Sequence, residues 1–306
     1  MAPGFRSRER VDRTNSAQVA ARAASLSIYV AALLAAVKIV IGWKGHSVAV
    51  ISDGIENAAD LVTSGLVWLG LWIAAKPADQ DHPYGHGRFE TLSGLAVGMF
   101  LAAVGAGICI RSFIGAGGSD VPHLFAIWPV IASIGLKSGL AIWKWRLGKR
   151  TGSTALQADS KHDLVDILSG GVALVAVLLA IFGAGMQWAD HYGGVVIGIV
   201  VIFMGLSVIR ETVLQLVDTM PDDRQMKQIR AAALRVPGAL AVEKCFARKT
   251  GLRYHVDLHL EVDPHLSVLE SHDIAHQVRV AVVEDLDWVE DVLVHVEPHL
   301  ARVNAM

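Results

Sequence analysis

The chain has 306 residues and a net charge of −2, with 53% hydrophobic and 18% charged residues. Its mean hydropathy of +0.45 places it among membrane proteins rather than soluble ones. The sequence has no basic stripe interleaved with aromatic residues, which argues against a nucleic-acid partner. Its two cysteines, Cys109 and Cys245, form no CxxC pair, so neither a disulfide framework nor a zinc ribbon is predicted.

Long apolar runs fill the chain from residue 24 to residue 210. A spanning helix needs ~20 apolar residues, and six segments approach that length: 25–43, 47–74, 89–113, 123–145, 155–183 and 189–210. An even number of spans places both termini on one side of the membrane. Basic residues in segment 1–24 and around the end of the fourth span (144–150) predict that this side is the cytoplasm. The short loops and the lack of a targeting segment favour a multi-pass protein of the cell inner (plasma) membrane.

Residues 211–306 are richer in charge and hold seven of the thirteen histidines. The pattern predicts a separate cytoplasmic α+β domain with an antiparallel or mixed sheet. Its predicted elements are a helix at 223–235, strands at 240–248 and 252–262, a helix at 267–284 and a strand at 292–296.

One signature occurs twice within the apolar region. It reads Asp53-x2-Glu56-x3-Asp60 in the second predicted span and Asp159-x2-His162-x3-Asp166 in the fifth. Residues at i, i+3 and i+7 share one face of a helix. Ionisable groups at membrane depth are costly and usually face a bundle interior, where they mark ion pathways. The two stripes therefore predict a cation site between these helices.

The predicted ligands of this site are Glu56, Asp60, His162 and Asp166. Three carboxylates and one imidazole suit Zn²⁺, and also Mn²⁺ or Fe²⁺. The alternative is that these groups form helix–helix hydrogen bonds or a proton relay without metal. Asp53 and Asp159 either line the path by which the cation approaches, or cap or hydrogen-bond a neighbouring helix. Lys38 and Lys137, also within apolar spans, are explained by snorkelling or by pairing inside the bundle.

Two further clusters of potential ligands lie outside the apolar spans. The connector between the second and third spans carries Asp79, His82 and His86 in a Pro/Gly-rich loop that can gather them round one cation. The cytoplasmic domain carries Asp257, His259, His272, His295 and Glu297, of which the strand residues pair at i, i+2 on one face. In both places solvated surface histidines are the alternative.

These motifs together resemble the cation diffusion facilitator family of metal/proton antiporters. The second span reads Ser47-Val-Ala-Val-Ile-Ser-Asp53-Gly-Ile-Glu56-Asn-Ala-Ala-Asp60, the fifth carries His162-x3-Asp166, and the connector reads His-Pro-Tyr-Gly-His-Gly. The resemblance covers residues 25–299. It implies six transmembrane helices and a ferredoxin-like (metallochaperone-like) cytoplasmic domain.

The resemblance also implies a homodimer in the lipid bilayer, with Arg88 and Asp218 as a charged pair that braces the third helix against the sixth. The chain departs from the family pattern at two places. Glu56 stands where the family usually has His, Asp or Asn, and Glu243 stands where some zinc-transporting members have a histidine. The preferred metal and the stoichiometry of the cytoplasmic site are therefore left open.

The expected activity is efflux of a divalent cation, Zn²⁺ first, with Fe²⁺, Mn²⁺, Co²⁺ and Cd²⁺ as alternatives. Cytoplasmic metal would exchange for protons by alternating access, because metal and protons compete for the same ligands. Neither a phosphate loop nor a nucleophile elbow occurs, so we expect neither ATP-driven transport nor an organic cofactor. A metal-binding membrane sensor or scaffold that does not transport remains the alternative function. An intramembrane hydrolase has suitable ligands but lacks a helix-borne general base.

Overall fold

A computed structural model describes residues 28–115, 121–151, 154–183, 185–251 and 253–300. Around the start of the fifth helix, the side chains of residues 151–159, 161 and 162 lie outside the described set. The predicted N-terminal segment 1–24 and the side chains of Asp159 and His162 therefore fall outside the described residues.

Among the described residues, six α-helices occupy the apolar region. They are α1, described over residues 28–44, followed by α2 (Val48–Ala74), α3 (Arg88–Gly115), α4 (Ile127–Thr151), α5 (Thr154–Phe182) and α6 (Trp188–Leu216). Within the described residues, five of them, α2 to α6, are long and apolar enough to cross a membrane. Helices α4 and α6 continue several residues past the predicted spans, because the charged residues that follow the apolar runs are good helix formers.

The start of α2 is capped by a side chain from α6. Ser47 Oγ donates to Asp190 Oδ1 at 2.6 Å, and the backbone N–H of Val48 donates to Asp190 Oδ2 at 2.5 Å. The first N–H groups of a helix have no partner within the helix, so an aspartate at this place stabilises the α2 terminus. The buried carboxylate of Asp190 thus has a structural role that fixes the start of the helix carrying the first acidic signature.

Helices α3 and α6 cross closely at a pair of glycines. A Cβ atom added at Gly105 would lie 2.7 Å from the backbone oxygen of Gly198, and one added at Gly198 would lie 2.6 Å from Cys109 Sγ. Small residues let helix backbones approach within a membrane and gain packing contacts. Larger side chains at either glycine would force these two helices apart.

The C-terminal region forms the predicted α+β domain. Its elements are α7 (Asp223–Ala233), β1 (Ala241–Thr250), β2 (Arg253–Val262), α8 (Val268–Asp285) and β3 (Val289–Pro298). The sheet order is β1-β2-β3, with β1 antiparallel and β3 parallel to β2. The sheet is therefore mixed. Its core consists of alternate residues of β2, including Leu258 and Leu260, packed with Val278 and Val282 of α8.

Hydrogen-bonding side chains mark where the helices of this domain begin. Asp222 accepts from the backbone N–H of Gln225 at the start of α7. Ser267 and Glu270 form a capping box at the start of α8. Strand β3 is longer than the predicted 292–296, because its pairing with β2 begins at Val289 and continues to Pro298. Register with a neighbouring strand, which the sequence does not reveal, sets this length.

The contacts divide the chain into two compact units. One contains residues up to 66 and 97–207, and the other contains residues 67–96 and 208–306. The membrane site predicted from α2 and α5 lies in the first unit. The connector cluster and the cytoplasmic cluster lie in the second.

Candidate metal centre

The first acidic signature faces α5. Glu56 is buried, and Asp60, one turn later on α2, is half-buried. Ser169 of α5 donates a hydrogen bond from Oγ to Glu56 Oε1 at 2.9 Å. Ser169 lies one turn after Asp166, which is also buried. The signature of α2 therefore faces the side of α5 that carries Asp166.

The second oxygen of Glu56 is buried without a donor. Among the described residues, Glu56 Oε2 has no hydrogen-bond partner. A buried carboxylate oxygen is costly unless a proton, a donor or a cation satisfies it. This oxygen is one that a bound cation would satisfy.

The structure describes part of the predicted four-ligand site. Glu56 and Asp166 lie on facing helices, yet within the described ranges Glu56, Asp60 and Asp166 do not form a group whose ligand atoms are all within 4.8 Å of one another. The fourth predicted ligand, His162, belongs to α5, but its side chain lies outside the described residues. The complete ligand set therefore stays a prediction.

Asp53 forms an ion pair with a residue of α1. The sequence predicts that this aspartate lines an approach path, or caps or hydrogen-bonds a neighbouring helix. Its Oδ2 lies 2.7 Å from Lys38 Nζ, and the two side chains are 1% and 0% exposed. In a pair this deeply buried, each side chain compensates the charge of the other. The pair links α1 to the helix that carries Glu56.

Two lysines of α4 pair with carboxylates of α5. Lys137 Nζ lies 2.6 Å from Asp166 Oδ2 and also donates to Asn57 Oδ1 of α2. Lys144, counted above with the basic residues around the end of the fourth span, is fully buried and pairs with Asp163. Sequence reasoning gave neither lysine a role at the site. The sequence does show that Lys137 and Lys144 are seven residues apart and share a helix face, but it does not reveal their partners on α5.

The connector residues form a compact cluster. The ligand atoms of Asp79, His82 and His86 all lie within 4.8 Å of one another. The backbone N–H of His82 donates to Asp79 Oδ1 at 2.7 Å, and His86 Nε2 lies 3.3 Å from Asp79 Oδ2. Gly85, with φ of 80°, allows the turn between the two histidines.

The surroundings of this cluster favour an imidazole tautomer and an ionised carboxylate that can bind a cation. His86 Nδ1 lies 3.1 Å from the backbone oxygen of Pro77, and donation to that oxygen leaves Nε2 as the acceptor that faces Asp79. The backbone hydrogen bond from His82 is the main cause that lowers the pKa of Asp79. The carboxylate is therefore ionised throughout the neutral range. An ionised carboxylate and two imidazoles form a donor set suited to Zn²⁺.

The structure brings three of the five predicted cytoplasmic ligands together. His259, His295 and Glu297 place their ligand atoms within 4.8 Å of one another. His259 and His295 are register partners on β2 and β3, and His259 Nδ1 lies 2.6 Å from Glu297 Oε1. Hydrogen bonds with Glu243 and then with His259 lower the pKa of Glu297. Glu243, which replaces a histidine of some family members, thus lies beside this cluster.

Asp257 and His272 are not part of that described group. Asp257 pairs in register with Leu293, two register positions before His259, and His272 is an exposed residue of α8. The strand alternation correctly places Asp257 on the same face as His259, but the cluster forms further along the strand. Sequence reasoning gave His299 no partner, whereas its Nδ1 lies 2.5 Å from Glu261 Oε2.

The predicted charged pair is formed. Arg88 Nη2 donates to Asp218 Oδ1 at 3.1 Å. Asp218 has φ of 56°, a left-handed conformation that aspartate tolerates better than most residues. The pair joins the start of α3 to the residue just beyond α6, and both side chains are about half exposed.

Apolar helices with buried carboxylates, followed by a small α+β domain with a histidine cluster, define a class of membrane proteins that handle metal cations. Two family descriptions match the chain. The cation efflux transmembrane domain matches residues 24–217, and the cation efflux cytoplasmic domain matches residues 221–299. The chain belongs to the cation diffusion facilitator family, whose members transport divalent metal cations out of a compartment.

Several characterised and uncharacterised relatives are similar over nearly the whole chain. The manganese efflux system protein MneP of Bacillus subtilis is 30% identical, over 92% of this chain and 97% of its own length. An uncharacterized transporter of Methanocaldococcus jannaschii is 35% identical, over 89% and 96%. Metal tolerance protein C1 of Arabidopsis thaliana is 32% identical over 87% of this chain, which spans only 59% of that longer protein.

A solved structure is similar to the cytoplasmic domain. A variant of the C-terminal domain of MamM is 31% identical and covers 26% of this chain and 98% of its own, with a TM-score of 0.25. The membership of the family, together with the apolar helices, makes this chain a multi-pass membrane protein that transports divalent metal cations.

Proposed function

We propose that this protein exports a divalent transition-metal cation from the cytoplasm in exchange for protons. The observation that carries the proposal is the buried Glu56 Oε2, which has no donor among the described residues and belongs to a carboxylate facing the Asp166 side of α5. A cation or a proton satisfies such an oxygen. A site that accepts either one at different stages of a cycle is what exchange requires.

The proposed transport ligands are Glu56, Asp60, His162 and Asp166. Metal binds only to deprotonated ligands, so protons from the outer side compete with the metal and promote its release. Alternating access of the helix unit that holds the site would separate the loading step from the release step.

Zn²⁺ and Mn²⁺ are the proposed cargoes to test first. Three carboxylates and one imidazole accommodate both, and Fe²⁺ as well, whereas thiolates that select Cu⁺ are missing from the proposed set. Two relatives named for manganese efflux, MneP and MneS of Bacillus subtilis, support testing Mn²⁺ beside Zn²⁺. Fe²⁺, Co²⁺ and Cd²⁺ complete the series.

The two histidine clusters have accessory roles in this proposal. Asp79, His82 and His86 would bind metal in the connector, and His259, His295 and Glu297 would bind regulatory metal in the cytoplasmic domain. That domain, matched by a family description that includes dimerisation, would join two copies of the chain. The distribution of basic residues supports both termini in the cytoplasm, and we propose the plasma membrane because the loops are short.

The test is metal flux into proteoliposomes that carry a pH gradient. The purified protein is compared with Asp60→Ala, which removes one proposed ligand, and with Asp273→Ala, which removes an exposed aspartate of α8. Each of the five metals is tested with a metal dye and a pH dye inside the vesicles.

Flux that depends on Asp60 but not on Asp273, with a lumenal pH change in step, is the expected result. Metal binding without flux for every metal, in protein that remains folded, would replace the transporter with a membrane sensor. Flux without a linked pH change would contradict proton exchange while leaving metal transport intact.

A further inference from the structure

The side chain of Lys137 reaches from α4 to the gap between α2 and α5. It is 4% exposed, and its Nζ atom lies 2.6 Å from Asp166 Oδ2. The same atom donates to Asn57 Oδ1 of α2. The ammonium group therefore bridges the two helices that the proposed metal would bridge.

Asn57 is held in the orientation that receives this ammonium. Its Nδ2 donates to the backbone oxygen of Asp53 at 2.6 Å, and the side chain is 2% exposed. With the amide nitrogen so engaged, Oδ1 is left as the acceptor for Lys137. The position of the ammonium is thus determined by two buried oxygens, one on each helix.

We propose that Lys137 is a tethered cation that occupies the transport site when no metal is bound, and that metal must displace it. The proposal rests on the function proposed above, because it takes Asp166 as a ligand of the cargo. Lys137 would act by holding Asp166, and so it would set metal affinity and release.

Charge makes simultaneous occupation by both cations unfavourable. A metal bound to a carboxylate oxygen lies about 2.0–2.2 Å from that oxygen, and the ammonium already lies within hydrogen-bond distance of Asp166. At such separations a dication and an ammonium repel each other by several kcal/mol even at an effective dielectric constant of about 20. The lysine therefore has to move away from Asp166 for the metal to bind there.

An ammonium that competes with the metal for Asp166 would help a transporter release its cargo. A site built from several buried carboxylates would bind a divalent cation tightly and release it slowly, whereas transport needs binding that is weak enough to allow release. An ammonium that returns to Asp166 as the metal leaves compensates the buried charge without help from solvent. It would also stabilise the contact between α2 and α5 in the empty protein.

The chain provides a matched control. Lys144 lies two turns further along α4, is fully buried and pairs with Asp163 of α5. Its partner is not a proposed ligand. Replacing either lysine with methionine removes a buried ammonium from the same helix, but only the change at Lys137 should alter the metal site.

The experiment is equilibrium binding of Zn²⁺ and of Mn²⁺ to the purified full-length protein in detergent. The binding component that disappears in Asp60→Ala is assigned to the membrane site, which separates it from the two histidine clusters. We expect Lys137→Met to lower the Kd of this component by about tenfold or more. Because the partner of Lys144 is not a proposed ligand, Lys144→Met should leave the Kd within about twofold, whatever it does to stability. Lys137→Arg, which keeps the charge, should remain near the wild type.

The same variants are then tested for flux in proteoliposomes. Lys137→Met should bind metal more tightly yet turn over more slowly, because release is impaired.

A Kd for Lys137→Met that is unchanged or higher would overturn the proposal and make Lys137 a structural residue. If the methionine variant does not fold, Lys137→Gln removes the charge while it keeps hydrogen-bonding capacity, and the same criterion applies. Absence of any Asp60-dependent component in the wild type would instead contradict the proposed transport site itself.

Discussion

The membrane carboxylates and the cluster of the cytoplasmic domain use the same residue types in opposite physical settings. In the membrane region, Asp53 and Asp166 are buried and each is paired with a lysine from another helix. In the cytoplasmic cluster, His259 and Glu297 pair with each other while about a quarter of each side chain remains exposed. Buried charges depend on their partners, whereas exposed ones are stabilised by water.

This difference predicts different sensitivity to substitution. Removal of one partner from a buried pair leaves an uncompensated charge and has a large effect. Removal of one partner from an exposed pair changes stability and affinity little, because solvent replaces the lost interaction. Substitution of a proposed membrane ligand should therefore abolish transport, while substitutions in the connector and cytoplasmic clusters should adjust it.

The largest effect is expected for Glu56→Gln. The amide keeps the size of the side chain and an oxygen that accepts from Ser169, but it lacks the charge that attracts a cation. Substitution of a residue that merely hydrogen-bonds a metal ligand costs about 10–100-fold in affinity or activity. Loss of a ligand itself should cost at least as much, so we expect metal flux to fall by about a hundredfold or more. The matched control is Ser169→Ala, which removes the hydrogen bond and keeps the carboxylate. Flux in Glu56→Gln comparable to that of Ser169→Ala would show that Glu56 is not a ligand.

A second substitution at the same position tests metal preference. Glu56→His introduces one of the side chains that the family usually carries here, and it replaces an oxygen donor with a nitrogen donor. Imidazole suits Zn²⁺, while carboxylate oxygens suit Mn²⁺. We expect the ratio of Zn²⁺ flux to Mn²⁺ flux to rise by about tenfold, measured side by side in proteoliposomes. An unchanged ratio would mean that residues other than position 56 determine selectivity.

The sequence suggested the proposed membrane ligands, but it did not reveal the partners that the structure gives them. The repeated spacing of Glu56 and Asp60 on a helix face is local information, and it correctly indicated one polar stripe along α2. Lys137 gave no such signal by itself, because its partner Asp166 lies 29 residues away on another helix. Only the packing of α4 against α5 brings the two together.

The cytoplasmic cluster shows the same limit in a sheet. Alternation along β2 predicted that Asp257 and His259 share a face, which holds in the structure. The pairing of β2 with β3 then sets His259 opposite His295 and Asp257 opposite Leu293. Strand register depends on contacts between distant segments, and so the sequence could not distinguish the ligand pair from its neighbour.

The connector cluster is expected to show an intermediate effect with a defined pH dependence. The hydrogen bond from the backbone of His82 lowers the pKa of Asp79, whose ordinary value is about 3.9. A carboxylate with a lowered pKa contributes fully above its ordinary value and loses that contribution only as the pH falls through the lowered pKa. Asp79 should therefore be ionised at both pH 7 and pH 5, because both values lie above the ordinary pKa of about 3.9.

Asp79→Asn should weaken metal binding by the same factor, about tenfold, at the two pH values. The measurement is calorimetric titration of Zn²⁺ in an Asp60→Ala, His259→Ala background, in which the connector cluster is the remaining proposed site. Any loss of affinity that the parent protein shows on acidification would then come from groups other than this carboxylate. The loss of affinity caused by Asp79→Asn could instead be markedly smaller at pH 5, which is about one unit above the ordinary pKa. That result would show that Asp79 titrates in this range, and it would contradict the lowered pKa.

The smallest effect is expected in the cytoplasmic cluster. His259→Ala removes the register partner of His295 and the ring that contacts Glu297. Because this cluster is partly exposed, we expect transport at saturating metal to change by only about two- to fivefold. The sharper readout is the dependence of flux on cytoplasmic metal concentration, which should become less steep if metal at this cluster favours one transport state.

His265→Ala, which removes an exposed histidine of the same domain, is the matched control. Loss of transport in His259→Ala as complete as in Glu56→Gln would remove the distinction between the two regions, because an exposed cluster would then be as indispensable as a buried one.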